Sequence, residues 1–248
     1  MGAKTGYADA ILRVLGLTPG ARAAHYLWCE PDPGVRLLLE AYRDADLARA
    51  AAAIIRGWAD EEPRALWERL RAEGPPRLPE GQVDAGEVAR FVLGEGWGGL
   101  CGVTFNGPGC HPSHAGSRTS ATMSNRVGTL PTLPATISPD ARDIDPPALP
   151  PGTIAYMDPP YVGTTGYASD LPRSEVVTLA RRWHAAGARV CISEAEPIPE
   201  LVADGWHAVR IDGERQGHKR TFSKQQAEWL TLSHAPVWRP SVQAGLFA

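Results

Sequence analysis

The stretch Thr153-Ile154-Ala155-Tyr156-Met157-Asp158-Pro159-Pro160-Tyr161 constrains this chain more than any other. Its first five residues form a short, largely apolar run set off by Pro150, Pro151 and Gly152, the pattern of a buried β-strand. Asp158 falls where the strand ends, and two prolines follow at once. Each proline fixes its own φ, and the second also restricts the residue before it. A stiff turn results at the carboxyl end of a strand, where open α/β sheets bind their ligands. The turn offers one carboxylate, carbonyls with no adjacent N–H to compete, and an aromatic face. This set matches the needs of an enzyme acting on the exocyclic amine of a base. The Asp158 carboxylate and the Pro159 carbonyl can each accept one amine hydrogen. Tyr161 can stack on a base drawn out of its duplex, a contact of about 1–3 kcal/mol.

The flanking patterns extend the reading. Arg173 to Ala186 places Val176, Leu179, Ala180 and Trp183 at i, i+3, i+4 and i+7, an amphipathic helix that Gly187 ends. Residues 188–193 read as the next parallel strand. Residues 207–212 and 227–232 read as a closing antiparallel pair, the second containing Glu228-Trp229-Leu230. At the other end of the chain, a Gly/Lys segment leads into a helix with Tyr7, Ala10, Ile11 and Val14 on one face. A strand at 24–29 follows, then Glu30-Pro31-Asp32-Pro33-Gly34, then a helix whose expected stripe is Val35, Leu38, Leu39 and Tyr42.

In these motifs the chain resembles the Dam-like adenine-specific DNA methyltransferases, whose catalytic motif is Asp-Pro-Pro-Tyr. The resemblance covers residues 88–234 in layout, together with the opening segment. It implies an α/β, Rossmann-like S-adenosylmethionine-dependent methyltransferase fold with a helical and loop-rich insertion. It also implies transfer of a methyl group to the 6-amino group of adenine in DNA, with Asp158, Pro159, Pro160 and Tyr161 as catalytic residues. Lys4, Tyr7, Glu30, Asp32, Gly34 and Asp158 are the residues expected at the donor. One departure stands out. Family members carry a Glu-Pro-Phe-x-Gly-x-Gly loop after the first strand, and here Gly34 alone supplies the backbone freedom that such a loop uses. The loop is either a divergent donor loop or a deleted one in which Asp32 takes over the acid that holds the donor's ribose. The altered loop keeps a second reading open, a degenerate, non-catalytic relative that binds DNA or a partner chain. A restriction partner, or a second subunit that supplies the missing loop, belongs with these expectations.

Between the halves the composition changes twice. Residues 45–94 are helical in pattern and rich in Ala, Arg and Glu, with Pro63 opening one helix, a Pro/Gly break at 74–81, and Trp58 and Trp67 expected to pack helix on helix. Residues 94–128 turn Gly-, Pro-, Ser- and His-rich, and residues 129–152 are Pro/Thr/Asp-rich with little to bury, the composition of irregular chain. The expected division is therefore 1–44 with 150–236 as the core, 45–149 as the insertion, and 237–248 as a flexible tail. In the family this middle region carries target recognition. Phe105-Asn106-Gly107 fits the aromatic-Asn-Gly segment found there, and Arg118, Asn125 and Arg126 suit phosphates or base edges. A dense basic stretch, with Arg215, Lys219 and Arg220, suits phosphate contact from a hairpin loop.

Whole-chain properties narrow the class. A net charge of −3 over 248 residues is no footprint of a strong non-specific DNA binder, so the basic stretches would have to act locally. Nothing approaches about 18 consecutive apolar residues, and no apolar signal core opens the chain, so a cytoplasmic protein is expected. Four scattered cysteines make no disulfide framework. Cys101, Cys110, His111 and His114 are zinc-compatible types. Their spacing matches no common structural site and two are adjacent, so no metal is expected.

Overall fold

The computed structural model describes residues 7–74, 83–95, 120–160, 171–211 and 228–239. The chain is α/β, with helices around two small sheets, and forms two compact units. One runs from Ala23 to Asp143, and the other joins Gly2–Arg22 to Ile144–Ala248. The expected division placed residues 23–44 with the C-terminal part, whereas here they group with the middle of the chain. Among the described residues, no helix is long and apolar enough to cross a membrane.

Helix α1 (Ala8–Leu15) opens the second of these units. Gly16 ends it in the left-handed conformation, φ 72°, with Gly16 N–H and Leu17 N–H donating to the carbonyls of Arg13 and Leu12. Its Ile11, Val14 and Leu15 are buried, as the heptad-like spacing requires.

The Ala23–Asp143 unit begins with strand β1 (Tyr26–Cys29). Helices α2 (Pro33–Arg43), α3 (Ala45–Gly57), α4 (Pro63–Ala72), α5 (Ala85–Arg90) and α6 (Ser120–Gly128) follow, and α5 runs on into a π-helical turn, Phe91–Glu95. Carboxylates cap four of them: Asp32, Asp44, Glu62 and Asp84 each accept from backbone N–H groups of the first turn, which otherwise lack intrahelical partners. Pro63 does open α4, as its fixed φ favours. The core joins Leu37, Leu38 and Ala41 of α2 to Ala48, Ala51, Ala52 and Ile55 of α3, with Leu66, Leu70, Val88, Met123 and Val127. The buried stripe of α2 is thus turned from the expected one: Leu37 and Ala41 are buried, while Val35, Leu39 and Tyr42 are partly exposed. Four-residue spacing in a Leu-Leu-Leu run admits either face, and packing against α3 and α5 selects this one. Small residues on α3 let α6 come close, and Ser124 Oγ donates to the Ala52 carbonyl at 2.7 Å. Trp58 and Trp67 pack partly buried against this core, as expected.

Two sequence expectations fail here. Residues 120–128, read as part of a loop, are α6, and residues 135–138, read as irregular, are strand β2 (Ala135–Ser138). β2 pairs in parallel with β1, Tyr26 opposite Ala135 and Cys29 opposite Ser138. Only four residues long and set between Pro134 and Pro139, β2 draws its hydrogen bonds from a strand more than a hundred residues away. Local composition cannot report that.

The Gly2–Arg22/Ile144–Ala248 unit holds strands β3 (Ile154–Met157), β4 (Arg189–Glu194), β5 (His207–Ile211) and β6 (Glu228–Leu232), in the order β3-β4-β6-β5. β3 and β4 are parallel, and β6 is antiparallel to both of its neighbours. The sequence reading of a parallel strand followed by a closing antiparallel pair holds. Side chains alternate across the sheet. One face carries Ile154, Cys191, Val209, Ile211, Leu230 and Leu232 against α1 and the buried Tyr7. The other carries Ala155, Met157, Val190 and Ile192 against α7 (Arg173–Ala185) and α8 (Pro199–Ala203). Val237 and Trp238, expected in a flexible tail, contact α1: Val237 N–H donates to the Val14 carbonyl, and Arg13 lies over the Trp238 ring.

Candidate functional site

At the carboxyl end of β3 the strand period decides what surrounds Asp158. Tyr156 sits opposite Cys191 and Met157 opposite Ile192, so the next pair brings Asp158 beside Ser193. Tyr156, Asp158 and Ser193 share one sheet face. Their hydroxyl and carboxyl groups form a continuous chain: Tyr156 Oη donates to Ser193 Oγ at 2.9 Å, and Ser193 Oγ donates to Asp158 Oδ1 at 3.1 Å. Ser193 is fully buried, whereas Asp158 is exposed, Pro159 buried and Pro160 half-buried. Glu228, first residue of β6 and 1 % exposed, shares that face and lies at the same end of the sheet.

Electrostatics hold this chain in one state. Burial raises the Tyr156 phenol well above its usual range and outweighs the opposing effect of the Ser193 hydrogen bond. The negative charges of Asp158 and Glu228 add to the rise. The residue as a whole is 40 % exposed, which leaves ring surface open while the hydroxyl end meets Ser193. The phenol therefore stays protonated and remains a donor. Beneath it, burial pushes the Cys191 thiol up to about 12, so that sulfur is a packing group and no nucleophile.

A second group of acids lies at the carboxyl ends of β1 and β2. Glu30 Oε1 accepts from Asp32 N–H at 2.9 Å, and the Glu30 carbonyl accepts from Arg36. Asp32 Oδ1 accepts from Gly34 and Val35 N–H at 2.8 and 3.0 Å, the N-cap of α2. Burial raises the Glu30 carboxyl above its usual value, the Asp32 hydrogen bond opposing. Gly34 lies inside α2 without positive φ. Its need for glycine is steric, because a Cβ there would stand 2.5 Å from the Phe91 ring. Beyond β2, Asp140 pairs with Arg142, whose hydrogen bonds lower its carboxyl.

Of the residues singled out from the sequence, Asp158, Pro159 and Pro160 come together as one turn. Tyr7 is 4 % exposed in the cluster between α1 and the sheet. Glu30, Asp32 and Gly34 cluster at the start of α2. Arg126 is exposed on α6, one residue from Asn125, whose Oδ1 accepts from Arg56. Lys4, Tyr161, Asn106, Arg118, Arg215, Lys219 and Arg220 lie outside the described residues, as do Cys101, Cys110, His111 and His114. Among the described residues no group of three or more His, Cys, Asp or Glu side chains is arranged to hold a metal ion. Sequence reasoning passed over Tyr156, Ser193 and Glu228. The signal was present in the two-residue period, which puts Tyr156 on the face of Asp158.

Comparison with models of protein families and with curated proteins finds no match for this chain.

Proposed function

We propose that this chain transfers a methyl group from S-adenosylmethionine to the 6-amino group of adenine in DNA. The observation that carries the proposal is Asp158, set at the carboxyl end of β3 by two prolines, with one oxygen held by Ser193. A strand-end carboxylate kept as an acceptor suits an exocyclic amine, which offers only hydrogens until its lone pair is aimed. The order β3-β4-β6-β5, with β6 alone reversed, supports the methyltransferase fold that the motifs imply.

The chemistry asked of the protein is positioning and electrostatics. Asp158 and the Pro159 carbonyl accept the two amine hydrogens and direct the lone pair outward. Pro160 stiffens the turn, and Tyr161 stacks on the flipped base. The donor, when bound, supplies an electrophilic methyl on a sulfonium, which the amine attacks directly without a covalent enzyme intermediate. The residues at the start of α2 fit such a molecule in charge and hydrogen-bonding type. Glu30 and Asp32 are carboxylates at a strand's carboxyl end, suited to ribose hydroxyls and to a cationic ligand, with Lys4, Tyr7 and Gly34 as the other residues carried over. DNA would be met by Asn106, Arg118, Arg126, Arg215, Lys219 and Arg220.

One observation favours the second reading, a non-catalytic DNA- or partner-binding relative. Asp32 Oδ1 caps a helix and Gly34 is covered by Phe91, so neither is configured as an open glycine loop. Two measurements separate the readings. Calorimetry with S-adenosylmethionine should give micromolar binding, about −8 kcal/mol. Incubation of unmodified DNA with methyl-labelled donor should yield N6-methyladenine by mass spectrometry. Donor binding without product, or no binding at millimolar donor, would favour the non-catalytic reading.

A further inference from the structure

The Tyr156–Ser193–Asp158 chain has a direction, and that direction does something the strand-end carboxylate alone would not. An ionised carboxylate accepts and cannot donate, so the bond between Ser193 and Asp158 needs the serine proton. A serine hydroxyl has one proton. Once it points to Asp158, Ser193 Oγ can meet Tyr156 only as an acceptor, and Tyr156 must donate. Every proton in the chain then points toward Asp158.

We infer that Ser193 is a positioning residue for Asp158 and that Tyr156 sets the serine's proton, so that the carboxylate is held in one orientation as an acceptor. The inference deepens the methyltransferase reading and rests on it for its functional consequence. What it adds is orientation: a carboxylate tied through one oxygen to Ser193 meets an N–H donor, such as the amine of adenine or cytosine, in a fixed geometry. Several features support the assignment. Ser193 has no exposed surface, so water does not compete for its hydroxyl. The Tyr156 ring sits one residue pair back, opposite Cys191, and reaches forward along the strand, a diagonal contact within the span of an aromatic side chain. The carboxylates that face Tyr156, Asp158 and the buried Glu228, oppose ionisation of the phenol. Consecutive hydrogen bonds also polarise one another, which makes the middle hydroxyl the strongest single point at which to break the chain.

The test uses Ser193→Ala, Ser193→Thr and Tyr156→Phe in the full chain. Ser193→Ala should lower kcat by about 10- to 100-fold, the effect of removing a hydrogen bond to a charged group, with KM for DNA and donor little changed. Ser193→Thr, which keeps the hydroxyl, should recover most of the rate. Tyr156→Phe should lower kcat less, and the double variant Ser193→Ala/Tyr156→Phe should be no slower than Ser193→Ala alone, because the tyrosine acts through the serine. Additive losses, or an unchanged kcat in Ser193→Ala, would overturn the inference. A readout independent of turnover keeps it separate from the methylation reading. In protein labelled at Asp 13Cγ, the Asp158 resonance, assigned with Asp158→Asn, should move in Ser193→Ala and move less in Tyr156→Phe. If the wild type methylates nothing, the methylation reading fails while that shift still supports the hydroxyl chain. An unmoved resonance refutes the chain whatever the activity.

Discussion

Asp32-Pro33-Gly34 and Asp158-Pro159-Pro160 differ in one residue, and only the first has an N–H at its third position. Both follow the carboxyl end of a parallel strand. In the first, Pro33 opens a helix and Gly34 keeps its N–H, so the aspartate folds back and caps α2 through Gly34 and Val35. In the second, Pro160 has no N–H at the position where Gly34 donates. A cap of that kind lacks this donor, and one oxygen of the carboxylate accepts from Ser193 on the neighbouring strand. One proline thus removes from the second turn the N–H that Gly34 donates to Asp32 in the first. An Asp-Pro pair at a strand end therefore says little about chemistry until the next residue is read.

The largest expected effect tests the presented carboxylate. Asp158→Ala should cut methyl transfer by about a thousandfold or more. Its melting temperature should stay near that of the wild type, because the side chain is exposed. Wild-type turnover in that variant would remove Asp158 from the mechanism. Next, Pro160→Ala restores an N–H and invites Asp158 to turn inward as Asp32 does. The expected loss in kcat is about 10- to 100-fold, the cost of a small misplacement, and a crystal structure of the variant should show Asp158 accepting from the restored N–H at position 160. Gly34→Ala probes the other member of the pair: a Cβ 2.5 Å from the Phe91 ring should destabilise the protein by about 1–3 kcal/mol in urea unfolding. Asp32→Ala should cost about 1 kcal/mol through loss of the cap, while Asp32→Asn keeps it. If Asp32→Asn preserves stability but weakens donor binding by calorimetry, the Asp32 carboxylate has a second role; unchanged affinity confines it to capping.

The smallest effect concerns pH and should have opposite sign in the two units. His234 has both ring nitrogens buried without a hydrogen-bond partner among the described residues. Burial first, then the nearby Arg189, His207 and His184, depresses it from 6.5 to about 4. As pH falls below 6.5 the unfolded chain takes up this proton and the folded chain does not, so stability is lost down to about pH 4. Glu30 is raised above 4.5, so over the range just above that value the folded state binds the extra proton and gains stability as pH falls. Hydrogen exchange followed from pH 7 to 5 should show β4 and β6 losing protection relative to α2. His234→Phe should shrink that difference to the part contributed by Glu30.

These comparisons also show what the sequence could convey. The strand before Asp158, the amphipathic α7, its termination at Gly187 and the closing antiparallel pair were legible because each carries its own local period or punctuation. The strand β2 was not legible, because its four residues between prolines have no period of their own and exist through β1. The buried face of α2 was ambiguous within Val35 to Tyr42, and contacts with α3 and α5 decided it. At the site, Asp158 announced itself through its prolines. Ser193 is an ordinary strand residue until the β3–β4 register places it, and the register was not in the composition.

The contact between Gly34 and Phe91 joins positions 57 residues apart. Neither can change size alone without opening a void or forcing a clash. Grafting a glycine-rich segment after Glu30 would therefore leave the Phe91 ring unsupported unless position 91 were enlarged or its turn rebuilt. Among descendants of this chain the two positions should vary in step, and such covariation would be readable in any collection of their sequences.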